Sequence, residues 1–293
     1  MLLPQDYIHP EDEAARRNME AIPGFASVVK AVMRVGLEQY LHGTNMASKV
    51  RLSDKQLPEL YKKLPPICQK MGIAEPEFYL EMNPMPNACT YGDTRVYLTI
   101  TSGLIEYLGE QELEAVLAHE CGHIACRHVL YHTMAKLIMS GANKIGLLGV
   151  ITTPVELALL YWSRKSELSA DRAAAVVMGS SQPVVETMIR LSGGPKSITK
   201  QVNIAEYAAQ AEVYDALQEK NWDKILQTYA TAFLSHPFSA VRTREILKWC
   251  DNEHFNRLVE NIKLQESGKK CTCCQRSVDS IWKFCKFCGA KIQ

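Results

Sequence analysis

His119, Glu120 and His123 stand in the order His-Glu-x-x-His, within HECGH. In a helix, residues four apart lie about 40° apart around the axis and about 6 Å along it. Two imidazoles so placed share a face and can hold one tetrahedral zinc ion. Glu120, one position on, is angled toward the position the ion leaves open. There it can take a proton from water activated by the ion and deliver it to a leaving amine. The surrounding run, LEAVLAHECGHIA, is apolar. Burying two imidazoles and a carboxylate in it is costly without a strong partner, and a metal is such a partner.

A catalytic zinc takes its third protein ligand from another element. Glu167, in SRKSELSADR, is the candidate. Asp171 follows at i+4 on the same face, where it can accept a proton from a ligand imidazole and fix its tautomer. His128 and His132 are also four apart, but no Glu follows the first of them. Extending one helix through them puts them nearly opposite His119, and they are expected as surface histidines, a second ion site being the alternative. Cys126 is expected as a buried, inert thiol.

A second ligand set lies at the C-terminus. Cys271 and Cys274 form one CxxC pair and Cys285 and Cys288 another, ten residues apart. Two such turns complete a closed four-thiolate zinc site, and in so small a module the ion supplies the folding energy. Cys273 is surplus. The expectation is therefore two zinc ions, one catalytic and one structural. From residue 263 to the end there are seven Lys/Arg and two Asp/Glu, a formal +5, which a four-thiolate zinc of charge −2 reduces. Trp282, Phe284 and Phe287 could contact a base or a protein, and a protein partner is at least as well suited. The near-neutral main body argues against nucleic acid.

These residues need elements to position them. The segment 10–43 reads as helical, with Asp12 to Ile22 polar and FASVVKAVMRVGLEQYL amphipathic. Asp54 to Met71 reads as one helix, capped by Ser53 or Asp54 and ended by Gly72. PEFYLEM and RVYLTI are aromatic and β-branched, and are expected as strands of a small sheet. A short helix follows Ser102 and Gly103, and a strong one runs from Glu112 past Arg127. Leu130 to Trp162 is apolar with interruptions, among them Pro154 and Glu156. It reads as a shortened helical pair turning near 141–149, beside the cleft and touching substrate or a membrane surface, not as a span. Further helices are expected at Ser166–Met178, 203–232 and 240–263.

The fold class is α+β and mainly helical. The expected organisation is a metallopeptidase domain over 1–264, a linker at 265–270 and a zinc ribbon over 271–293. The 293 residues suffice for one large core or two modest ones. A net charge of +1 provides no global field for polyanions. Ten cysteines, half of them crowded at one end, suit metal and a reducing compartment better than a disulfide scaffold. The opening MLLPQDYIHPEDEAARR is not a secretory signal, so a cytoplasmic location is expected.

Six ordered segments resemble the HtpX-like and CAAX-prenyl-protease family of zinc metallopeptidases, of the gluzincin group. They are IPGF (22–25), PNACTYG (86–92), SGLIEYL (102–108), ELEAVLAHECGHI (112–124), SRKSELSADRAA (163–174) and SHPFSAVR (235–242). The resemblance implies zinc on His119, His123 and Glu167 with Glu120 as base, and a polypeptide substrate. It implies that PNACTYG edges the cleft, with Asn87 and Ala88 nearest the metal, so that an extended substrate adds a strand there. It also implies that His236 and Arg242 approach the centre, where a cation would stabilise an oxyanion. A noncatalytic, zinc-organised scaffold is the competing reading; Glu120 beside an open position argues against it.

Overall fold

A computed structural model describes residues 2–34, 37–139, 152–217, 239–266, 269–274, 278, 282–286 and 288–291. Its elements are mainly helical. The N-terminal arm holds α1 (Pro10–Glu20), α2 (Phe25–Arg34) and α3 (Leu37–Ser48). Then come β1 (Val50–Arg51), α4 (Pro58–Tyr61), α5 (Leu64–Met71), β2 (Glu77–Glu81), β3 (Ala88–Gly92) and β4 (Val96–Thr101). Next are α6 (Ser102–Tyr107), α7 (Glu110–Ala125), α8 (Val129–Met139), α9 (Thr153–Met178) and α10 (Gln182–Gly193). The chain continues through α11 (Lys196–Thr199), α12 (Ile204–Leu217), α13 (Ser239–Cys250) and α14 (Glu253–Glu266). The turn expected at 141–149, the second half of the expected helix 203–232, and His236 lie outside the described residues.

The four strands form one mixed sheet in the order β1-β2-β4-β3, with β2 and β4 parallel and the other pairs antiparallel. Side-chain alternation splits it into two faces. Phe78, Ala88, Leu98 and Ile100 join the main core. Tyr79, Tyr91 and Tyr97 cluster on the other face, with Leu41 of α3 packed against them. The expected strands correspond to β2 and β4, whereas β3 and β1 were not anticipated. PNACTYG reads as turn-formers at its start, and the alternation Ala88, Thr90 is too short to stand out.

Four expectations about helices are corrected. The single helix over 54–71 is broken. Leu57 adopts a left-handed φ of 54° before Pro58, and Pro65 and Pro66 sit in the first turn of α5. Its C-terminal end is as expected, with Gly72 at φ 66°. The helix expected from Ser166 starts at Thr153, because Pro154 occupies its first turn, where a missing N–H costs nothing. The metal-motif helix stops at Ala125 and does not pass Arg127. The fourth correction, to His128 and His132, follows from that stop and belongs with the site.

The main core packs α5, α7, α9, α10, α13 and α14 against the sheet. A second cluster joins α1 and α2 to α8 and the first half of α9, around Met19, Phe25, Leu159 and Trp162. Among the described residues no helix is long and apolar enough to cross a membrane.

Candidate metal centre

Helices α7 and α9 meet at Gly122. A Cβ there would come within 2.8 Å of the Ala173 Cβ and 3.1 Å of the Ala170 Cα. The missing side chain lets the two helices approach until Glu167 and Asp171 on α9 reach the histidines of α7. Gly122→Ala should push α9 away, lowering stability by about 1–3 kcal/mol. Zinc affinity should fall with it, because Glu167 moves. Thermal unfolding and chelator competition read the two effects; a variant with wild-type zinc affinity would show that the approach is not what positions Glu167.

His119 Nε2 and His123 Nε2 are 3.2 Å apart. Glu167 places Oε2 at 3.4 Å from the first and Oε1 at 3.3 Å from the second. A metal with bonds of about 2.05 Å to tetrahedral ligands has ligand–ligand edges of about 3.3 Å. The two imidazole nitrogens are separated by such an edge, and the Glu167 carboxylate turns one oxygen to each of them at a similar distance. Glu120, Glu167 and Asp171 bring three buried carboxylates against one buried guanidinium, Arg242. A dication would balance the remaining charge.

The surrounding contacts orient the candidate ligands. Asp171 Oδ1 lies 3.0 Å from His119 Nδ1. Burial alone would lower the His119 pKa, but Asp171 and Glu167 raise it to about 10. Burial would raise the Asp171 pKa, yet the Arg242 guanidinium holds it below the ordinary carboxylate range. Arg242 donates from Nε and Nη2 to Asp171 at 2.7 and 2.6 Å, and its Nη1 is 2.9 Å from Glu167 Oε2. It borders the cleft, but its side chain contacts carboxylates, which makes it first a brace for Glu167 and Asp171. That differs from the oxyanion role the resemblance implied.

Glu120 is 2% exposed, and its Oε2 accepts a hydrogen bond of 3.1 Å from Thr90 Oγ1. Thr90 was not singled out from sequence; its only signal is that it shares a strand face with Ala88. The cleft beside Glu120 is a cavity of about 760 Å³ bordered by Asn87, Ala88, His119, Glu120 and Arg242. Its apolar wall is formed by Leu104, Val116, Val184 and Met188. On β3, Thr101 N–H donates to Asn87 O at 3.0 Å. By antiparallel alternation, the backbone groups of Ala88 and Thr90 then point away from β4, along the sheet's edge.

The expectation that His128 and His132 are surface histidines is overturned. His128 is fully buried, and its Nδ1 lies 3.0 Å from His123 Nδ1. The His132 ring is 4.5 Å from that of His123, and His132 Nε2 lies 2.8 Å from Ser166 Oγ. The expectation assumed one continuous helix. Arg127 instead adopts φ 59°, and His128 N–H donates to His123 O while Arg127 N–H donates to Ile124 O. This is a Schellman turn, with an arginine where glycine is usual. It folds the chain back so that His128 sits behind His123. Cys126 is buried, and burial lifts its pKa to about 12.

At the C-terminus, Cys271 Sγ lies 3.6 Å from Cys288 Sγ, and Cys274 Sγ 3.7 Å from Cys285 Sγ. A tetrahedron with zinc–sulfur bonds of about 2.3 Å has edges of about 3.8 Å. Cys273 is exposed and outside the four-sulfur group. The N–H groups of Cys274 and Cys273 pull the Cys271 pKa down to about 6, toward thiolate.

Comparison with known proteins follows this geometry. Residues 54–250 match peptidase family M48. The chain is 32% identical over 268 residues to the plastoglobule-localized metallopeptidase 48 of Arabidopsis thaliana, covering 90% of this chain and 78% of that one. It is 27% identical over 184 residues to a protease HtpX homolog of Pelotomaculum thermopropionicum, covering 53% of this chain and 66% of that one. S. mikatae Ste24p overlays with a TM-score of 0.41 at 15% identity, over 82% of this chain and 67% of that one. The match spans both helices that carry His119, His123 and Glu167, and the chain belongs to peptidase family M48.

Proposed function

We propose that the chain is a zinc endopeptidase acting on extended, unfolded polypeptide, with His119, His123 and Glu167 as ligands and Glu120 as general base. The observation that carries this reading is the convergence of the His119 and His123 Nε2 atoms, 3.2 Å apart, on the Glu167 carboxylate at 3.3–3.4 Å, with Glu120 beside them and a cleft in front. Zinc bound there would supply Lewis acidity to a water and to the scissile carbonyl. Glu120, steadied by Thr90, takes the proton of the attacking water and returns it to the leaving nitrogen. The outward edge of β3 at Thr90 lends backbone groups to a substrate strand. Such pairing demands an extended chain, and the apolar wall receives an apolar side chain next to the cleaved bond.

The test is to load the protein with zinc and incubate it with one protein in native and unfolded forms. Fragments should come from the unfolded form, with apolar residues at the cut. Absence of cleavage of any unfolded polypeptide would sink the reading. Equal cleavage of both forms would remove the requirement for an extended substrate.

The same reading places a second zinc on Cys271, Cys274, Cys285 and Cys288. Metal analysis should find two equivalents per chain and one in a Cys285→Ser/Cys288→Ser variant. An unchanged zinc content in that variant would remove the ribbon ion.

A further inference from the structure

We propose that Asp12 of α1 and His128 form a positioning relay for His123, so that the N-terminal helix is part of the metal centre. This rests on the reading of His123 as a metal ligand. Each histidine of the motif then has a buried carboxylate behind it. His119 has Asp171 directly. His123 has Asp12 at one remove, through His128.

The geometry dictates the proton positions. If His123 offers Nε2 to the metal, its proton sits on Nδ1. Only 3.0 Å away is His128 Nδ1, which must accept it. The proton of His128 then sits on Nε2. That atom is buried and makes no aligned hydrogen bond in the structure, but Asp12 Oδ2 lies 3.1 Å from it, near enough to accept the proton after a small rotation of the ring. Asp12 is itself fully buried. It accepts the Trp162 indole N–H at 2.9 Å and the Ser169 hydroxyl. Ser169 in turn accepts the His9 N–H at 2.9 Å, which pins the start of α1 to α9. A carboxylate at the end of such a chain orients the ligand ring and makes it a better donor. Asp12 lies before residue 54, where the family match begins.

His132 also approaches His123, and the three imidazoles could cradle a cation of their own. The relay accounts for more of the contacts. His132 Nε2 is engaged by Ser166, and His128 Nε2 is turned to Asp12.

The test uses the full, zinc-loaded chain. With only eight histidines, selective ¹⁵N labelling resolves each ring. The expected result is His128 in its Nε2–H tautomer and His123 in its Nδ1–H tautomer. An Nδ1–H tautomer for His128 overturns the relay, and this reading needs no variant to fold. Chelator competition supplies the second arm. His128→Phe keeps a ring beside Trp162 but removes the acceptor, and should weaken zinc binding about 10–100-fold. His128→Asn places an oxygen where Nδ1 stood and should recover most of that loss. Wild-type affinity in His128→Phe would overturn the proposal. So would a further zinc equivalent that is lost in His132→Phe, which would make the cluster a second metal site. If wild type binds no zinc at His119 and His123, the functional reading fails first, and that outcome is distinct from both.

Discussion

Glu120→Gln should bind zinc as wild type does and lose hydrolysis by about 10²–10⁴-fold. The side chain is 2% exposed and touches Thr90 Oγ1. Glutamine has nearly the same shape and still presents an oxygen to that hydroxyl, so the local contact survives. The three donors, His119, His123 and Glu167, are untouched. What glutamine cannot do is accept a proton from the attacking water. The loss should therefore appear in kcat with zinc content and unfolding temperature unchanged. A variant cleaving unfolded polypeptide within a few-fold of wild type would refute the general-base role. A variant that also lost its zinc would instead make Glu120 a structural part of the centre.

The parts of this centre legible in sequence are those set by local helical geometry. His119 and His123 share a face because they are four apart, and Glu167 and Asp171 do for the same reason. Their types say what chemistry a shared face can do. That two such faces could meet was also indicated by the apolar context, but the cause of their closeness, Gly122 against Ala170 and Ala173, is visible only in three dimensions. His128 was misplaced because a wheel was extrapolated past Arg127, where no glycine or proline marks the stop. An arginine in the left-handed region costs about 1–2 kcal/mol and leaves no mark in the sequence. Asp12 lies 116 positions from His128, beyond the reach of any local pattern. Likewise no residue pattern marks β3 as a strand, because Ala88 and Thr90 are small and few; only the family resemblance of PNACTYG pointed to an edge there. The breaks around α4 and α5 were legible in principle from Pro58, Pro65 and Pro66, but the apolar period outweighed them.

Arg242→Ala should destabilise the protein by about 3–5 kcal/mol and strip the catalytic metal. The guanidinium is buried and reaches both Asp171 oxygens and Glu167 Oε2. Removing it leaves those carboxylates buried beside Glu120 with no fixed cation but the metal. Protonation relieves the repulsion, and a protonated Glu167 is a poor ligand, so stability and zinc affinity fall together. Lysine should not rescue, since one ammonium cannot span two carboxylates as the planar fork does. The pH dependence follows from the sign of the Asp171 shift. Its folded pKa is depressed by Arg242. Its contribution is therefore complete above the unfolded value of about 3.9 and is lost as pH falls through the folded value. In the variant that contribution is missing even at neutral pH. Urea unfolding of chelated wild type and variant should show a wide gap near neutrality that narrows in acid. A gap independent of pH would mean that Arg242 acts by packing alone. Full zinc retention in Arg242→Ala would show that Glu167 holds its place without the brace.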